Sequence, residues 1–146
     1  MQYERSPKDS HVETIWYEID MLRYVYKTLS SSTEPGFVAA KNLLIEGALL
    51  HYRNLIRFFS GQNARPNDLS TARPEVWSDD NLTKHDLNEM CKIGIILDKK
   101  YFKDISKYLQ HVTVERYSDP KGWDLPEMYA RLEPALVAFE RTFPHT

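Results

Sequence analysis

The segment from Pro35 to Ser60 constrains this chain more than any other. It is long, mostly apolar, and interrupted by the polar insert His51-Tyr52-Arg53-Asn54. At about 100° per residue, Phe37, Ala40, Leu44, Gly47, Ala48, His51, Leu55 and Phe58 fall on one helical stripe. Val38, Ile45, Leu49, Tyr52, Ile56 and Phe59 form a second stripe beside it. The remaining strip carries Glu46, Arg53 and Arg57. A helix apolar over most of its circumference belongs at the centre of a bundle, or is covered partly by a second subunit.

The surrounding segments have the same period. Val12, Ile15, Trp16, Ile19, Leu22, Val25, Tyr26 and Leu29 recur at three- and four-residue steps, with Asp9 or Ser10 as the expected cap after a polar lead-in over 1–9. Residues 61–81 hold many turn formers and read as a long loop, with Trp77 expected to pin it to the body. Thr83 is the expected cap of a third helix, broken between Gly94 and Asp98. A fourth runs from Lys99 to Thr113, and a last from Leu125-Pro126 to Thr142, where Pro134 is expected to bend it. Strand-type alternation is rare, and there are only five glycines. The expected fold is all-α: one domain over 1–146, an antiparallel bundle of four main helices plus a shorter helical piece.

Several chemistries lack their signatures. Phosphate-binding glycine loops, zinc-type Cys/His pairs and the His-Glu-x-x-His pattern do not occur, so no metal or cofactor is expected. Cys91 is the one cysteine, which excludes an internal disulfide and reads as an inert thiol. The N-terminal stretch has no signal-peptide character, and no apolar run approaches the roughly 20 residues of a membrane span. A cytoplasmic protein is expected. Its formal charge of −2 gives no general attraction to polyanions.

The polar insert splits in two. Asn54 lies within about 60° of His51, so both can bond one object, whereas Arg53 points about 160° away. A histidine on an apolar stripe is most often a satisfied core group, and its functional counterpart is a ligand or base in a low-dielectric seam. Arg53 shares its strip with Glu46 and Arg57, which makes these three candidate interface residues of a homodimer. A second cluster, Lys107 to Arg116, supplies His111 and Arg116 as further binding candidates. Lys99, Lys100, Lys103 and Lys107, with Tyr101 and Tyr108, offer a basic surface for RNA or a nucleotide, diluted by Asp98 and Asp104.

The blocks Leu50-His51-Tyr52-Arg53-Asn54-Leu55-Ile56-Arg57-Phe58-Phe59 and Ile105-Ser106-Lys107-Tyr108-Leu109-Gln110-His111-Val112-Thr113-Val114-Glu115-Arg116 resemble an uncharacterised bacterial all-helical family reading LHxRNLxxFF and KxLxHxTxxR. More remotely, Arg53-Asn54 on a central helix resembles HEPN domains, many of which are dimeric RNases of toxin or antiphage systems. Their signature places a histidine four to six residues beyond the arginine. Here that window holds Phe58, Phe59 and Ser60. The resemblance therefore implies binding or self-association rather than catalysis. An RNase using Arg53, Asn54 and one of His51 or His111 with Arg116 is the enzymatic alternative. A small-ligand sensor lined by His51, Asn54, Trp16, Tyr52 and Trp77 is the third reading.

Overall fold

The computed structural model describes residues 7–31, 38–62, 81–110 and 122–145. They form α1 (Pro7–Ser31), α2 (Val38–Ser60), α3 (Asn81–Leu97), a π-helical turn (Asp98–Phe102), α4 (Lys103–Gln110) and α5 (Leu125–Thr142). Because α3, the π turn and α4 join end to end, the architecture is four helices with no strand among the described residues. None of these helices is long and apolar enough to cross a membrane.

Three sequence expectations are corrected. α1 begins at Pro7, inside the expected lead-in and before the expected cap at Asp9 or Ser10. A first-turn proline gives up only an N–H that has no intrahelical acceptor, and its fixed φ suits the helix. α3 likewise begins at Asn81, two residues ahead of Thr83. The break expected between Gly94 and Asp98 does not occur. The chain there widens into a π turn flanked by right-handed helical residues, Leu97 (φ −71°, ψ −38°) and Lys103 (φ −62°, ψ −44°). Most of the expected 61–81 loop, with Trp77, lies outside the described residues.

Helix ends follow local chemistry. α2 stops at Gly61, whose φ of 66° is the left-handed conformation glycine adopts without penalty, and its N–H donates to the Arg57 carbonyl at 3.0 Å. Asp124 caps α5, accepting the Glu127 backbone N–H at 3.1 Å, with proline next to the start. Pro134 sits exposed within α5, and the helix continues past it to Thr142. Near the end of α1, the Thr28 and Ser30 hydroxyls donate to the Tyr24 and Tyr26 carbonyls at 2.8 and 2.9 Å.

Contacts between helices set an antiparallel order. Glu18 meets His51 while Val25 lies beside Gly47, so α1 and α2 run oppositely. Asp98 meets Ser60 and Ser106 meets Arg53, which sets α2 against the α3–α4 helix. Thr142 meets Asp86, and Trp16 meets Phe143, placing α5 antiparallel to both α3 and α1. Ile19, Leu49, Leu55, Ile56, Phe59, Leu87, Met90, Ile105, Leu132 and Phe139 are wholly buried between the layers. Phe139 is the aromatic hub, with edge contacts to Trp16, Phe58 and Phe59 at 5.9 to 6.5 Å between ring centres.

Candidate functional site

The expected pairing of His51 with Asn54 is present, and the shared object is Glu18 of α1. His51 Nδ1 lies 2.5 Å from Glu18 Oε2, and Asn54 Nδ2 donates to Glu18 Oε1 at 3.2 Å. Each carboxylate oxygen therefore has its own partner. The His51 and Glu18 side chains are 10% and 18% exposed, and the Tyr17 ring stands edge-on to the imidazole at 6.0 Å. A carboxylate held on Nδ1 fixes the imidazole orientation and leaves Nε2 as the ring nitrogen open to chemistry. Among the described residues no serine, threonine or cysteine hydrogen-bonds His51.

Glu18 escaped the sequence reading, yet a signal existed. It falls in the α1 stripe Ile15, Leu22, Val25 and Leu29 at helical spacing, and a carboxylate inside an apolar stripe demands a partner. Removing it strands two polar groups in the seam. Glu18→Ala is expected to lower stability by about 1–3 kcal/mol, measured as a shift in the denaturant midpoint with unchanged slope.

Arg53 takes the other side of α2. Its Nε donates to Ser106 Oγ at 2.9 Å, and its guanidinium lies 5.0 Å from the Phe102 ring centre. Arg57 packs closer to the same ring, at 3.4 Å, and donates to the Gln62 carbonyl at 2.7 Å. Arg57 Nε is also 3.0 Å from Asp98 Oδ2, an ion pair without a well-aligned hydrogen bond at Nε. Asp98 is buried, and its second link is the Ser60 hydroxyl, donating at 2.8 Å. Burial, and then the like charge of Arg57, lower the Arg53 pKa from its ordinary value. Arginine nevertheless stays charged. The π turn thus carries the ring on which both arginines pack and the acid that pairs with Arg57.

Other candidates are dispersed. His51 faces α1 while Arg53 faces α4, so the two do not converge within one chain. His111 and Arg116 lie outside the described residues. Tyr52 donates its hydroxyl to the Met128 carbonyl at 2.9 Å, and burial pushes its phenol pKa well up, keeping it a neutral donor. The space beside Tyr52 is only about 10 Å³, room for a water at most. Trp16 donates instead to the Phe143 carbonyl at 2.8 Å and borders a separate cleft with Val12, Tyr17 and Asp20, apart from the space beside Tyr52. Cys91 is half-buried and its thiol points to the Ser60 carbonyl at 3.6 Å. Among the described residues no three His, Cys, Asp or Glu side chains gather as a metal would need.

Comparison with protein-family models, curated proteins and solved structures matches none of them to this chain.

Proposed function

We propose that this is a HEPN-like cytoplasmic bundle that acts by binding as a homodimer, with the outward ridge of α2 as the dimer surface. The observation that carries this reading is the exposure of Leu43 and Leu50, at 70% and 42%, on the helix that otherwise forms the centre of the bundle. Seven residues apart, they stand two turns apart on nearly one line. Glu46 and Arg53 flank that line on one side. A two-fold axis level with Leu50 lays Leu50 on its copy and brings Glu46 of one chain toward Arg53 of the other, which is the self-complementarity an isologous interface needs. The divergence of His51 from Arg53 weighs for binding over hydrolysis, because among the described residues no histidine stands beside the arginine.

The test is sedimentation velocity at micromolar concentration. A dimer is expected, and Leu43→Glu with Leu50→Glu is expected to raise its dissociation constant at least about tenfold, since charges replace apolar contacts at the interface core. Both positions are exposed, so the melting temperature of the monomer is expected to hold within the ~0.5 kcal/mol of ordinary surface changes. A strict monomer, or a dimer indifferent to both changes, overturns the proposal. Cleavage of a mixed RNA pool by the purified chain, lost in Arg53→Ala, establishes the RNase alternative instead.

A further inference from the structure

Where α2 meets α4, Arg53 is held by two contacts: its Nε donates to Ser106 Oγ at 2.9 Å, and its guanidinium lies 5.0 Å from the Phe102 ring centre. Its terminal nitrogens, Nη1 and Nη2, have no acceptor among the described residues. Ser106 accepts from Arg53, so its own O–H proton is left over, and it too finds no acceptor among the described residues. Lys103 is exposed one turn before Ser106, about 60° further round α4, and forms no ion pair among the described residues. Acids lie elsewhere. Asp98 is buried and engaged by Arg57 and Ser60. Asp104, two residues before Ser106, points about 160° away round α4, and Glu46 stands about 10 Å along α2 from Arg53. What acts on the Arg53 charge is burial and then the like charge of Arg57, with no carboxylate to offset them among the described residues.

We propose that this seam binds a phosphate group, with the Arg53 terminal nitrogens, the Ser106 hydroxyl and the Lys103 ammonium donating to its oxygens. Donors gathered without an acceptor call for a guest that is rich in acceptors and negatively charged. A neutral guest leaves the half-buried Arg53 charge unanswered. A carboxylate presents two oxygens in one plane and is used up by the arginine fork. A phosphate dianion presents its oxygens at tetrahedral corners, enough to meet fork, hydroxyl and ammonium together. Phe102 and Ser106 hold the guanidinium beforehand, so little side-chain freedom is lost on binding. Every donor comes from one chain, and the site is complete without a second copy. Free phosphate and a phosphate ester share this chemistry.

Titration of the full chain with sodium phosphate at constant ionic strength, followed by NMR on the Arg53 Nε–H and the Lys103 and Ser106 amides, tests this. Saturable shifts are expected in the millimolar range, where a ligand of so few atoms belongs, while sodium chloride gives no saturation and sodium acetate binds at least about fivefold more weakly. Methyl phosphate in a parallel titration separates the sources: the tighter of the two tells whether a free anion or an ester is the natural guest. Arg53→Lys keeps the charge but loses the fork, and is expected to weaken binding about tenfold. Lys103→Gln, at an exposed position where the melting temperature is expected to hold, weakens it about two- to fivefold. The Leu43→Glu, Leu50→Glu chain is titrated beside the parent, so that Glu46 of a second copy cannot mask the arginine. No saturation below ~50 mM in either chain, an equal response to acetate, or full binding by Arg53→Lys overturns the proposal.

Discussion

Gly94→Ala is expected to melt roughly 10 °C below the parent chain, if it folds at all. A β-carbon built at Gly94 lies 2.5 Å from the Phe59 carbonyl carbon, the Phe59 Cβ and the Ser60 backbone nitrogen. Two of these three atoms are main chain of α2, so no rotamer change relieves the clash. The helices must separate where Phe59 is wholly buried and Ser60 holds Asp98. Overpacking of this kind typically costs about 1–3 kcal/mol, and backbone obstruction sets Gly94 at the upper end or beyond. Gly47 is the control. Its added carbon meets only Val25 Cγ2 at 3.9 Å, an ordinary contact, and alanine is the better helix former. Gly47→Ala is expected to be neutral or stabilising by up to ~1 kcal/mol; a drop in Gly47→Ala matching Gly94→Ala refutes the packing account.

Phe139→Ala is expected to cost about 3–5 kcal/mol, measured by denaturant unfolding. Phe139 is wholly buried, and its ring contacts come from α1 through Trp16, α2 through Phe58 and Phe59, and the chain end through Phe143. Truncation leaves a cavity bounded by parts of three helices, which cannot all move in to fill it. The loss also loosens Trp16, whose indole anchors the Phe143 carbonyl. Phe139→Leu keeps most of the volume and is expected to lose clearly less. Equal losses for alanine and leucine contradict a cavity mechanism.

The two substitutions bear on how much was legible beforehand. Phe139 reads as core from the period of α5 alone, because Leu132, Leu136 and Phe139 recur at helical spacing. Gly94 invited the opposite reading, as a helix breaker. In the structure it is a place where α3 lies directly against the backbone of α2, and the helix passes through it unbroken. A glycine chosen for close approach and one chosen for a break look alike in one sequence. Only the neighbour across the interface separates them.

The polar insert shows the same division. That His51 and Asn54 share a face while Arg53 leaves it follows from helical rotation, a purely local quantity, and the structure keeps that split. What each side meets was decided by packing. Glu18 lies 33 residues from His51 in sequence, and Phe102 and Asp98 reach Arg53 and Arg57 from the π turn of another helix. Helical period sets the angle of a side chain, and the sequence alone determined that much, along with the apolar stripes and the stop at Gly61. Partners depend on the register and order in which the helices dock. These are set by the summed packing of the whole core, and so only the tertiary structure could decide them.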